Sequence, residues 1–411
     1  MVSLHRGYYC RWMALILLGI LLLSACTTKT NPTGNNWSDV RPISFRDSTS
    51  FVAGYSYPAV VSVKGNESNL LCGNWNGVEA VALMRFTGLP TEFSIPAGYQ
   101  DSTYLELTLV KRSPLIRYPV NLSVYKLDQS WAADSTSLVQ DAAMRLITLQ
   151  EFTIPDTISS SGTEIKIPIP INEIEDWRSE ADTLGLSLVV KTGAASYVEI
   201  RAAETGRGPQ LRFKYRLDSD TAETEDREFK SRATRDSYRL DADLAPLLPD
   251  RWVISNFQPS RIYVNFALDS TLFQDNQGNQ LDPQQYRRAT INHAELVLFV
   301  KENPYYGSSL QYSLRGDRMN DSLDIANLVE ITDAQTSTGL ITQSFIRGDS
   351  LVVNITPIVQ AWTSGDRQNF GVVIRSLHEL LNFGELELWH FSDAPAGRKP
   401  KLRVTYTPPY L

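Results

Sequence analysis

The chain has 411 residues, a formal net charge of −7, 42% hydrophobic residues and 21% charged residues. An acidic balance of this kind excludes nucleic acid as a natural partner, because the phosphate backbone is repelled. A chain this long has outgrown a single hydrophobic core, so two domains are expected.

Arg6 and Arg11 precede the apolar run Met13 to Leu23, which closes in Leu23-Ser24-Ala25-Cys26. A positive start, an apolar core of about 7 to 15 residues and small residues at the cut make a secretory signal. The run falls short of the roughly 20 apolar residues that span a bilayer. The small-small-cysteine ending resembles a bacterial lipoprotein signal, which implies cleavage before Cys26 and a lipid on its thiol. Residues 1–25 then form the signal peptide. Residues 26–45 hold the lipidated Cys26 and a flexible tether, whose stretch Thr27 to Asn36 has no apolar periodicity. In lipoproteins of two-membrane bacteria an Asp after the cysteine resembles an inner-membrane retention mark. Thr27 stands there instead, which implies the outer membrane or the cell surface, with the lipid as the membrane partner.

Cleavage removes Arg6 and Arg11 and no acid, so a mature chain of about 385 residues carries a charge of about −9. Beyond Cys26 only Cys72 remains, which leaves no disulfide framework. Its setting, Leu70-Leu71-Cys72-Gly73, predicts a small buried hydrophobe.

After the tether the sequence alternates short apolar-polar runs with Gly, Pro, Asn and Asp, and shows no long helical pattern. Strands are predicted at Val81 to Phe86, Tyr104 to Val110, Asn121 to Tyr125 and Leu211 to Tyr215. Many short strands with turn residues between them predict an all-β sandwich.

Internal repetition is the strongest signal. Thr103 to Pro114 can be laid over His293 to Pro304, both ending in Val-Lys-x-x-Pro, and the strand ending in Phe86 has a counterpart ending in Phe266. Pro170 to Trp177 matches Thr356 to Trp362, Leu184 to Val190 matches Phe370 to Ile374, and Gly208 to Tyr215 matches Lys399 to Tyr406. These five landmarks recur in one order at offsets of 180 to 191 residues. The duplication predicts a first domain at 46–216 and a second at 217–411, with an acidic connector at 217–228. Asp241 to Pro249 is expected as a short helix or a covering loop. The second copy carries a full set of strands and is expected to fold alone.

The order of these landmarks resembles the DNRLRE domain family: a strand ending in Phe, Ala-x-Leu-x-Leu, Ile/Val-x-x-Trp before a Gly-Val-Val-Ile strand, then Lys-Pro-x-Leu-x-Val-x-Tyr. Asn354 to Trp362 is similar to the family's Asp-Val-Thr-x-x-Val-x-x-Trp, and Phe391-Ser392-Asp393 to Tyr406 to its closing segment. The first copy departs from the pattern at Pro168 and Pro170, and only Ser130-Trp131 is similar to the central Ser-Trp. The resemblance implies tandem jelly-roll-like sandwiches, related in some members to carbohydrate-binding modules.

Catalytic chemistry is poorly represented. His293, His378 and His390 are the histidines of the mature chain, and no Gly-x-Ser-x-Gly elbow accompanies them. His378-Glu379 and His390 lack metal-ligand spacing, so no metal site is expected. Scattered carboxylates read as a solvated face, although two acids brought together in space could serve glycoside hydrolysis. The loop Asp269 to Asp282 shares the oxygen-rich makeup of calcium loops, but an ordinary hairpin turn is the simpler reading and no cofactor is expected. Exposed aromatic faces are the sharper sign, because sugars stack on them. Trp177 and Trp362 occupy equivalent apolar settings and read as core, whereas Trp75, Trp131, Tyr305, Tyr306 and Trp389 are the candidate ligand-binding residues.

These features together predict a lipid-anchored, non-catalytic protein of two tandem jelly-roll-like β-sandwich domains, binding or displaying at the cell surface with polysaccharide as a candidate ligand. The alternative is a structural or assembly protein of the envelope that docks to other proteins. A glycan-degrading enzyme comes third.

Overall fold

The computed structural model describes residues 40–410 except 48, 60, 91, 114–118, 149–150, 178–184, 194, 219–225, 242–247, 269, 303–310, 322–335, 338–340 and 346–348. Cys26, the signal peptide, Tyr305, Tyr306 and most of the acidic connector therefore lie outside the described residues, as does the middle of the segment Asp241 to Pro249.

The chain is all-β, as the alternation predicts, and forms two curled antiparallel sheets, each folded into a sandwich-like half. Two N-terminal strands, β1 (Ile43–Asp47) and β2 (Phe51–Pro58), come first. Then follow β3 (Asn69–Trp75), β4 (Val78–Phe86), β5 (Phe93–Ser94), β6 (Tyr104–Arg112), β7 (Asn121–Leu127), β8 (Met144–Leu146), β9 (Phe152–Thr153) and β10 (Thr163–Pro168). The short helix α1 (Ile171–Asp176) leads to β11 (Leu186–Thr192), β12 (Tyr197–Arg201) and β13 (Gln210–Leu217). Next come β14 (Arg227–Arg232), β15 (Arg235–Asp241), β16 (Trp252–Ser255) and β17 (Ser260–Phe266). Helix α2 (Pro283–Arg288) precedes β18 (Thr290–Glu302), β19 (Gln311–Met319), β20 (Thr336–Ser337), β21 (Ile341–Phe345) and β22 (Ser350–Asn354). Helix α3 (Thr356–Thr363) then leads to β23 (Val372–Ser376), β24 (Glu385–Leu388) and β25 (Lys401–Thr407).

The two sheets have the same plan. One runs β14-β13-β6-β12-β3-β4-β11-β7-β8 and the other β1-β25-β18-β24-β16-β17-β23-β19-β20. The duplication seen in the residues is thus a duplication of topology along this main path, although β5, paired with β13, has no counterpart on β25 among the described residues. The expected boundary at 216/217 nevertheless does not separate the folded units. β14 and β15 belong to the sheet of the first copy, where they pair with β13 and β4. β1 and β2 belong to the sheet of the second, where they pair with β25 and β17. Each copy is therefore a two-strand arm followed by a body, and each arm completes the body of the other copy. We call 69–217 body 1 and 252–407 body 2, with β1–β2 as arm 1 and β14–β15 as arm 2. The physical reason is edge pairing: β4 is flanked along Ala82 to Arg85 by β11 and β15, and β17 along Ile262 to Val264 by β23 and β2. Without the arms those backbones would present open edges.

Burial follows the strand periods. β25 alternates along Leu402, Val404 and Tyr406, all at most 1% exposed, as expected of a strand with one face on a core. β4 is buried almost continuously because both of its faces are covered. Met84 and Phe86 enter the core of body 1, while Val81 and Leu83 lie beneath the 128–143 loop with Trp131 and Val139. Body 2 has a matching core around Trp252, Phe266, Leu296, Trp362 and Leu402. Trp177 and Trp362 are buried at the C-terminal ends of α1 and α3.

A third cluster joins the halves. Leu71, Val78, Tyr197 and Tyr238 of one side meet Phe257, Leu380 and Phe383 of the other. Tyr238 donates its hydroxyl to the carbonyl of Leu380, and Glu199 accepts the N–H of Phe383 at 3.2 Å. The Asn76-Gly77 turn of the β3–β4 hairpin, with φ of 52° and 81°, has the left-handed pair that a tight hairpin requires, and Asn76 bonds Glu385 of β24.

Candidate functional site: an acidic cleft in body 1

A cleft of about 1220 Å³ opens where β9, the end of β10 and α1 meet the segment that joins β4 to β6. Its floor is aliphatic. Ile167 and Ile169 are nearly fully buried with Ile95 beside them, and Phe152 and Ile171 lie half-buried against the same core. Pro168 ends β10 and Pro170 opens α1, as suits a residue with a fixed φ and no N–H to donate. The two prolines that departed from the family pattern thus shape one wall of the cleft.

The rim is acidic. Asp101, Glu151 and Glu175 line the cleft together with Asn172, and no lysine or arginine is among the described residues that line it. Glu151 is exposed and accepts a hydrogen bond from the Asn121 amide at 2.7 Å. Glu175 is only weakly engaged, by the N–H of Ile95 at 3.5 Å. Body 2 fills the corresponding region differently. The segment from β17 to β18 spans 267–289, against 87–103 from β4 to β6, and forms α2. Asp282 caps that helix through the N–H groups of Gln284 and Gln285. Gln360 of α3 holds the end of the segment by donating to the carbonyl of Ala289 at 3.4 Å, and it accepts the N–H of Ile291 in β18 at 2.8 Å.

The aromatic candidates are placed elsewhere. Trp131 is 5% exposed; its indole N–H donates to Ser187 Oγ at 3.0 Å and the Arg85 guanidinium lies 5.1 Å from its ring centre. It is a clamp under the 128–143 loop and offers no open face, which corrects its selection as a ligand platform. Trp75 is half-buried and edge-on to Tyr197, with centroids 5.2 Å apart. It belongs to the junction of the halves and not to an open turn. Trp389 is half-buried beneath Lys301, whose ammonium sits 5.1 Å from the ring. None of the three lines the cleft.

The histidines are also separate. His390 is held between the carbonyl of Gly54 at 2.9 Å and Ser392 Oγ at 2.7 Å. His293 bonds Glu295 at 2.9 Å, and burial lowers the pKa of His378. Cys72 is fully buried, which pushes its thiol up to about 12, the behaviour of an inert small hydrophobe. In the loop considered for calcium, Asp275 already accepts the N–H groups of Gln277 and Asn279 at 2.8 and 2.9 Å and the Asn279 amide at 3.0 Å. Those bonds make a self-capped turn.

A second acidic group lies away from the cleft. Asp236 of β15 is 2% exposed and accepts the N–H of Ala203 at 2.7 Å. Burial, and the neighbouring Glu204 and Glu67, push its pKa up to about 7. It sits where arm 2 meets body 1, so it titrates a joint rather than a binding surface.

Comparison with family models, with curated proteins and with solved structures finds no match for this chain. The acids of the cleft were not legible beforehand because they come from three segments separated in the sequence. The one signal for them was the shorter segment between β4 and β6 in the first copy.

Proposed function

We propose that the protein is a lipid-anchored, non-catalytic docking protein of the bacterial cell surface, which holds a cationic, aliphatic segment of a partner protein in the cleft of body 1. The cleft carries this reading: an aliphatic floor takes apolar side chains, while Asp101, Glu151 and Glu175 supply charge to which only a cation is complementary. A saccharide ligand is the weaker reading, because Trp75, Trp131 and Trp389 lack the open faces on which sugars stack. The lipid at Cys26 supports a surface role by placing the two bodies at the end of a short tether. The DNRLRE-like landmark order agrees with an accessory module of that setting.

The test is fluorescence anisotropy with labelled hexapeptides alternating Lys and Val, against alternating Glu and Val, using the chain without residues 1–25. We expect the basic peptide to bind and to weaken at least tenfold in the triple variant Asp101→Asn, Glu151→Gln, Glu175→Gln. Salt should weaken it as well, since these charges are partly exposed. Equal affinity of wild type and variant, or binding to a glycan array that the variant retains, would overturn the reading.

A further inference from the structure

We infer that arm 1 is an exchangeable connector, able to leave body 2 of its own chain and complete body 2 of a second copy, so that copies link head to tail.

The two arms are equivalent by register. Phe229 of β14 lies opposite Phe213, and Phe45 of β1 lies opposite Val404. Phe213 and Val404 hold the same place in their closing strands. Arm 1 therefore precedes body 1 in the chain just as arm 2 precedes body 2, yet each is built into the other body. Arm 2 follows β13, its own pairing partner, across a short connection. Arm 1 has no such neighbour. It reaches body 2 from the opposite end of the chain and connects to body 1 through 59–68.

Body 2 is incomplete without this arm. Phe51 enters its core, stacked on Phe391 at 6.0 Å and 6.3 Å from Trp252. Phe45 meets Phe273 edge-on at 5.3 Å. Gly54 lies so close to Trp252 that a Cβ there would stand 2.7 Å from the indole, and its carbonyl meets His390. Ser56 is fully buried, accepting the N–H of Val253 at 2.6 Å and donating to the carbonyl of Arg251 at 3.0 Å. These contacts are the same whether the arm comes from the same chain or from another. The intrachain form is favoured by the connection at 59–68, through an effective concentration of about millimolar for a short link and through the packing of its Val61 and Val63 on the junction of the halves. The occupant that fits this groove residue for residue is a second copy, the logic of strand donation and domain swapping. Anchoring many copies to one surface would raise their local concentration toward that value.

Ser44 and Thr405 give the test. They are partners across β1 and β25, with hydroxyls 2.8 Å apart on an exposed face. Ser44→Cys and Thr405→Cys are made separately in the chain lacking residues 1–25, one of them isotopically labelled. They are mixed in denaturant, refolded at concentrations from about 10 μM to about 1 mM and oxidised. No single molecule then carries both cysteines, so a disulfide between positions 44 and 405, read by peptide mass spectrometry, reports an arm donated in trans. We expect this peptide to rise at least tenfold across the series. Wild-type chain refolded at the upper concentration should elute as dimers and longer species that persist on dilution. Folded monomer alone at the upper concentration, with no 44–405 peptide, would overturn the inference.

Discussion

The ring of Phe383 lies on that of Tyr197, with centroids 4.6 Å apart and 22° between their planes. One residue belongs to the turn before β24 in body 2 and the other to β12 in body 1. Both are at most 1% exposed, so the junction of the halves is packed like an interior and not like a hinge.

Loss of that stack should uncouple the halves. Phe383→Ala removes a fully buried ring and should cost about 3 kcal/mol. Because the ring is shared, calorimetry should show the wild type melting in one transition and the variant in two. A single unshifted transition would count against a coupled junction.

Asp236 gives a pH dependence of definite sign. Its carboxyl titrates near 7 in the folded chain, against an ordinary value of 3.8. The folded state therefore binds the extra proton, and the stability this supplies is complete below pH ~4 and lost as pH rises through about 7. Thermal stability should fall between pH 5 and 8 by more in the wild type than in Asp236→Asn, whose side chain stays neutral throughout. Parallel pH profiles would refute the assignment.

Fragments cut at the repeat boundary should fail, which reverses the expectation that the second copy folds alone. Residues 217–411 lack β1 and β2 and carry β14 and β15 away from β13 and β4. Circular dichroism and amide dispersion should show that fragment molten or insoluble. Residues 61–241, which keep body 1 with arm 2, should melt cooperatively. A cooperative transition in 217–411 would contradict the pairing.

Trp131 separates structure from binding. Trp131→Ala should destabilise by about 3 kcal/mol, because the loop over Val81 and Leu83 loses its clamp. Peptide affinity of the cleft should be unchanged at a temperature where the variant is folded. A selective loss of affinity would return Trp131 to the candidate site.

The proposed lipid anchor has one attachment point, Cys26. Cys26→Ala should leave the precursor unprocessed by the lipoprotein pathway, and metabolic labelling with a lipid precursor should find no label on the chain. Retained label would refute the anchor.

Much of this architecture was legible in the residues. Alternation along Leu211 to Tyr215 and Tyr104 to Val110 pointed to strands that the structure contains, and the repeated Val-Lys pairs at 110–111 and 300–301, the helices with Trp177 and Trp362 at their C-terminal ends, and the strands after Gly185 and Gly371 fall in topologically equivalent elements. What the residues do not encode is which copy a segment pairs with. Phe45 and Phe229 are interchangeable by pattern, and long-range pairing is decided by connection length and edge availability rather than by local periodicity. Trp131 sits among turn formers in the sequence, and its burial depends on Arg85 and Ser187, residues 46 and 56 positions away. The cleft arises from a difference in segment length between copies, which no single motif records.

Ile43 stands opposite Tyr406, so the two ends of the described chain meet in adjacent strands. Topologically the molecule is a ring of two repeats whose opening happens to fall before arm 1. The same ring could be opened instead between β13 and β14, with residue 410 joined to residue 40, and the resulting permuted chain would contain every strand pair present here. Which repeat comes first is then immaterial to the fold, and a cargo fused after residue 410 would emerge beside the start of arm 1.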